Sequence, residues 1–206
     1  MNRYSYTENE IKLFGKLNSP QKIQDYLNSV SFNFEKNGEM CMSPRRVIES
    51  QKAHCMEGAM FASAVLEFHG NKPWLLDLRV GKGSKDFDHV IAVFKKFGCY
   101  GAISKTNHAV LHYREPVYKT VRELSLSFFH EYFLHTGEKT LREYSDLFDL
   151  SKLKINWRTA DKNLFEIPKL LDKIKHHRFL SKEQMKNLRK ADLIEIKVGK
   201  LTEYHQ

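Results

Sequence analysis

Two residues in this chain have the types and the setting for acyl-transfer chemistry. Cys55 lies in Ala53-His54-Cys55-Met56-Glu57-Gly58-Ala59, where a long apolar run begins that reads as a helix. A helix N-terminus offers free backbone N–H groups and a partial positive charge, and both favour thiolate over thiol. Asp88-His89 opens a strand-like run downstream, His89 to Phe94. A thiol at a helix start and an imidazole on a following sheet are the parts of a nucleophile–base pair. In that reading His89 takes the thiol proton, the thiolate attacks an amide or ester carbonyl, and His89 returns the proton to the leaving group. The Cys55 backbone N–H holds the oxyanion, with Gln51, one helical turn earlier, as the candidate second donor.

The elements needed to position this pair can be read around it. Residues from about Cys55 to Phe68 are apolar on nearly every side, which predicts a helix buried all round, with Gly58 and several alanines allowing close approach and Gly70 as a left-handed cap. Three strands are expected at Pro73–Val80, His89–Phe94 and Tyr100–Ile103. The last two are joined by what reads as a four-residue loop, Lys95-Lys96-Phe97-Gly98. A further strand is expected over Ala109–Tyr113, and Gly81-Lys82-Gly83-Ser84-Lys85 reads as a polar loop flanking the cleft rather than a P-loop.

Upstream, Ser19-Pro20 and Ser43-Pro44 mark helix starts, and Asn37-Gly38 marks a turn. Downstream, Val121–Phe133 reads as apolar helix. Thr140-Leu141-Arg142-Glu143 and Ser181-Lys182-Glu183-Gln184 have capping-box spacing, and Ile167, Leu170, Leu171 and Ile174 form an amphipathic face. His176-His177 is expected on a solvated Lys-rich helix.

If Phe94 pairs with Cys99 across the four-residue loop, His89 falls opposite Ser104, which can orient an imidazole without supplying charge. Asn107 is the alternative, if a bulge at Lys105-Thr106 brings it back. Asp88 points away from His89 on a regular strand and is a possible substrate contact. His54 is read as a neighbour of Cys55 rather than a partner, since consecutive helical residues diverge by about 100°. His108 and His112 have no third ligand at a metal spacing.

The set resembles the transglutaminase-like superfamily of papain-fold thiol enzymes, in a bacterial branch. The resemblance rests on Cys55 with Ala59 and Ala62, Gly70-Asn71-Lys72-Pro73, Asp88-His89-Val90, and Gly98-Cys99-Tyr100-Gly101, over residues 50–107. It implies an α+β papain/transglutaminase-like core: a buried Cys-headed helix packed on a small, mainly antiparallel sheet, with flanking helices. It also implies hydrolysis, deamidation or transamidation of a protein, peptide or small amide or ester. No metal or organic cofactor enters that mechanism. The superfamily usually orients its His with an Asp, where this chain offers Ser104.

Composition sets the remaining bounds. The 206 residues are 41% hydrophobic and 12% aromatic, enough for a substantial core. Cys41, Cys55 and Cys99 make an odd count with no zinc spacing, so a disulfide framework is not expected, and Cys41 and Cys99 read as small hydrophobes. Met1–Glu10 is polar and no run is long enough to span a bilayer, so a soluble, cytoplasmic protein without membrane contact is expected. Of the net +9, residues 151–206 supply 14 basic against 7 acidic side chains. The division expected is therefore a core with a helical lead-in over 1–150 and a basic helical extension docked on it over 151–206. An alternative function follows from that charge: a catalytically inactive module on the same scaffold whose basic region engages an anionic partner.

Overall fold

The structure, a computed structural model, describes residues 5–36 and 38–202. Asn37, half of the expected turn, lies outside them. Helix α1 (Glu8–Lys16) is held by a Thr7–Glu10 capping box, and α2 (Pro20–Ser29) starts at Ser19-Pro20 with the serine hydroxyl accepting from Lys22 N–H. A two-residue strand β1 (Ser31–Phe32) pairs in parallel with β2 (Lys52–Ala53) across α3 (Pro44–Ser50), which begins at Ser43-Pro44. Then comes the central helix α4 (Cys55–Phe68).

Strands β3 (Trp74–Val80), β4 (His89–Lys96), β5 (Cys99–Ile103) and β6 (Arg114–Tyr118) follow. After α5 (Val121–Leu126) and a 3₁₀ turn at Phe129–Glu131 come β7 (Leu141–Ser145) and β8 (Phe148–Asp149). A second 3₁₀ turn, α6 (Glu166–Leu171), β9 (His176–Arg178), α7 (Lys182–Lys186) and α8 (Leu193–Gly199) complete the order. The large sheet runs β6-β5-β4-β3-β7-β9, with β8 also on β3, and its pairings are antiparallel. Among the described residues no helix is long and apolar enough to cross a membrane.

Alternation along the strands gives the sheet two apolar faces. Leu75, Val90, Ala92, Phe94 and Ile103 join α1–α4 on one side, and Leu76, Leu78, Ile91, Val93 and Ala102 meet Leu124, Phe128, Phe129 and Tyr132 on the other. Helix α4 lies in the first layer with Met56 through Leu66 all buried, as its lack of a polar face requires. Burying a side chain such as Phe61, fully enclosed there, stabilises by roughly 1.5–3 kcal/mol. The helix stops where Gly70 takes φ +83° and Asn71 N–H reaches back to Leu66 O at 2.9 Å.

Several expectations change. The β4–β5 hairpin turns on two residues, Phe97 and Gly98, both at positive φ, as a type I′ turn demands. Cys99 therefore pairs with Lys96, not Phe94. The fourth strand forms over Arg114–Tyr118, after 109–113. Thr140–Glu143 enters strand β7 instead of capping a helix, because the Thr140 hydroxyl donates to Asp86 and the following residues pair with β3. Only α5 and a 3₁₀ turn form within 121–133. Residues 151–206 are not all helical: β9 adds a strand to the sheet, while Trp157, Leu164, Ile167 and Leu171 pack into the α4-side core. His176 lies in that strand with Nε2 3.0 Å from the buried Asp77 carboxylate, not on a solvated helix.

Candidate active site

Helix α4 places Cys55 at its first position, with His54 as the N-cap in extended geometry. The thiol is half-buried and lines a cleft of about 620 Å³ that His54, His89, Phe34, Phe87 and Asn107 also line. Burial alone pushes the Cys55 pKa up. Hydrogen bonding from His54 and His89, together with the charge on both rings, reverses this and brings it down to about 5. Cys41 is the contrast: burial, reinforced by the negative field of Glu57, pushes it up to about 12.

His89 is buried at the start of β4. Its Nε2 lies 2.8 Å from Ser104 Oγ, and that hydroxyl donates its only hydrogen to Leu111 O at 2.6 Å. A hydroxyl whose proton is already given away can only accept, so His89 Nε2 carries the donating hydrogen and Nδ1 is left for the sulfur. The contact comes from a different register than the one counted from the sequence. Extending the observed ladder by one pair would set Ser104 against Ile91, so it reaches His89 diagonally on the same face. Gln24 of α2 fixes Ser104 from the other side, accepting from its N–H at 2.9 Å and donating to its carbonyl at 2.8 Å. Leu111, at φ +67°, is held through its N–H by Glu131 at 2.8 Å, and Glu131 pairs with Arg114 at 2.5 Å.

Asn107 lines the cleft, but the His89 Nε2 bond goes to Ser104. Gln51 is not an oxyanion donor here. It sits exposed at the left-handed C-cap of α3, and its amide donates to Tyr26 Oη at 2.9 Å and Ile48 O at 2.7 Å. The Cys55 N–H itself, in the first turn of α4, has no place in the i→i−4 ladder. Asp88 lines the cleft with one carboxylate oxygen accepting from Val80 N–H at 2.8 Å.

His54 adjoins Cys55 as the N-cap of α4. The 100° divergence holds inside a helix, and His54 precedes this one with ψ −173°. Its Nδ1 accepts from Met56 N–H at 3.2 Å and its Nε2 lies 3.0 Å from Met40 O, so both ring nitrogens are engaged by the main chain. Burial pulls the His54 pKa down, but the neighbouring Cys55 and the Glu57 carboxylate raise it to about 9. Glu57 is fully buried and accepts from Asn33 Nδ2 at 3.1 Å, Met42 N–H at 2.9 Å and His54 N–H at 2.9 Å. The His-x-x-Glu spacing of a capping box was the available signal for both residues.

Close packing behind the thiol depends on Gly58, where an added Cβ would stand 2.4 Å from Lys105 Cβ. The Lys105 ammonium is buried and donates to the carbonyls of Leu27 (2.9 Å) and Val30 at the end of α2, a cation at a helix C-terminus. His108 Nδ1 contacts Gly199 O at 3.2 Å. Among the described residues no group of three or more His, Cys, Asp or Glu side chains is arranged to hold a metal ion.

Comparison with protein-family models and with curated protein sequences gives no match for this chain.

Proposed function

We propose that the protein is a cysteine-dependent acyl-transfer enzyme in which Cys55 is the nucleophile and His89 the general base and acid. The observation that carries this reading is the relay Leu111–Ser104–His89. It commits Nε2 as a donor and leaves Nδ1 as the base for a thiol whose pKa is held near 5. The Cys55 proton passes to His89 Nδ1, and the sulfur forms a bond to the carbonyl carbon of an amide or ester. The oxyanion is met by the Cys55 N–H and the α4 N-terminus. The tetrahedral adduct collapses as the C–N or C–O bond breaks and His89 returns its proton to the leaving group. Water or an amine then takes the acyl group from sulfur, with His89 removing the incoming proton.

A p-nitrophenyl ester tests this directly. A burst of nitrophenolate with the acyl mass on Cys55 is expected, slowed roughly 10²–10⁴-fold by His89→Ala. Acylation of Cys41 or Cys99 at the same rate, or indifference to His89→Ala, overturns it.

The charge of residues 151–206 favours a second reading, a binding module for an anionic partner. Under it, Cys55→Ser retains full affinity for a polyanion such as heparin, and that affinity falls steeply with salt.

A further inference from the structure

Beside the thiol cleft lies a second cavity of about 490 Å³, framed by the β3–β4 loop and the start of β7. Lys85 and Leu134 line both, so the two spaces adjoin. Arg142, half-buried on β7, lines this cavity. Its guanidinium is fixed by main-chain carbonyls, Nη1 donating to Leu141 O at 2.9 Å and Nη2 to Lys139 O at 2.8 Å. Those bonds use two of its five N–H donors, and Arg142 lines the cavity with three uncommitted to these carbonyls. Among the described residues no carboxylate is in ion-pair contact with Arg142. Burial disfavours its charge and holds its pKa below the usual value, against the pull of Glu138. Arg142 therefore sits where an incoming anion would restore what desolvation removes.

The walls match that requirement. Gly81-Lys82-Gly83-Ser84 makes a tight turn, Ser84 N–H reaching Gly81 O at 2.9 Å with Gly83 at φ +79°. The turn sets Lys82 on the cavity, and Lys85 follows. Gly81 packs on the Arg142 side chain, where an added Cβ would lie 3.2 Å from Cγ. The cavity lining holds three cations, Lys82, Lys85 and Arg142, against one carboxylate, Glu138.

We propose that this cavity binds a phosphate-type oxyanion, with Arg142 as its forked donor and Lys82 and Lys85 as its rim charges. The site does not depend on Cys55 chemistry. Its position beside the thiol cleft suits a phosphate monoester reaching from one space into the other, and equally a free phosphate bound next to the substrate.

Calorimetric titration of the full chain with inorganic phosphate, at fixed ionic strength balanced with chloride, tests the site. Saturable binding is expected, unchanged in Cys55→Ser and at least tenfold weaker in Arg142→Gln. Because Arg142 also ties the backbone, two exposed-site variants keep the test decisive. Lys82→Gln with Lys85→Gln weakens binding, and Glu138→Gln tightens it. Absence of saturable binding, or affinities unmoved by all three changes, overturns the proposal. Repeating the titration with O-phosphoserine separates the sources: tighter binding than inorganic phosphate marks a substrate-borne group, and weaker binding marks the free anion.

Discussion

His89 Nε2 stands 2.8 Å from Ser104 Oγ, and Ser104 has given its own hydrogen to Leu111 O. This pair fixes the imidazole tautomer with a neutral group. A carboxylate in the same place would also stabilise the imidazolium; a serine orients without that charge. In the proposed mechanism the stabilisation of a thiolate–imidazolium pair then falls to other groups. His54, itself beside Glu57, supplies that second influence on the sulfur.

Ser104→Ala removes the orienting acceptor and leaves a buried ring N–H unpaired. Acylation of Cys55 is expected to slow roughly tenfold, short of the ~10²–10⁴-fold owed to the whole base. Stability should drop by about 1–3 kcal/mol. Burst kinetics and urea unfolding on one preparation read both effects.

Glu57→Ala strips a buried acceptor from Asn33, Met42 and His54 at once. A loss of more than about 2 kcal/mol is expected, from several stranded donors. Glu57→Gln, which keeps an acceptor oxygen, should lose less. Chemical denaturation of the two variants measures the difference.

Gly58→Ala drives a methyl group to 2.4 Å from Lys105 Cβ, an atom too close to the backbone to swing aside. Overpacking of this kind costs about 1–3 kcal/mol. The midpoint of thermal unfolding should fall, whereas alanine at Gly15, which has open space, should leave it nearly unmoved.

Cys55 also links stability to pH. Its folded pKa, about 5, lies below the ordinary value of 9.0. The thiolate's contribution is thus complete above about pH 9, shrinks as the pH falls, and is gone below about 5. The stability gap between the wild type and Cys55→Ser should widen from pH 5 toward 9. Urea midpoints across that range give the curve, and a flat gap would remove the depressed thiol from the account.

Much of this was legible in the chain because local signals agreed with the tertiary outcome. Cys55–Phe68 is apolar all round, so only a buried helix suits it, and its end is written in Gly70. The Ser-Pro helix starts hold for the same reason. The hairpin register was not legible: it turns on whether Lys95 and Lys96 pair or loop, and Phe97 accepting positive φ decides it. Thr140–Glu143 shows strand pairing overriding a capping pattern. His176 shows a polar residue recruited by a buried carboxylate 99 positions away. Gln24, Glu131 and Arg114 reach the site only through folded geometry, and no spacing in the sequence announces them.

The most direct test is the pH dependence of Cys55 alkylation by iodoacetamide, mapped by mass spectrometry. The account predicts a rate with its midpoint near pH 5, Cys41 and Cys99 protected in the folded chain, and a midpoint moved upward in His89→Ala. A wild-type midpoint in the ordinary thiol range, near pH 8.5, or Cys55 labelling no faster than the two buried cysteines, would contradict it.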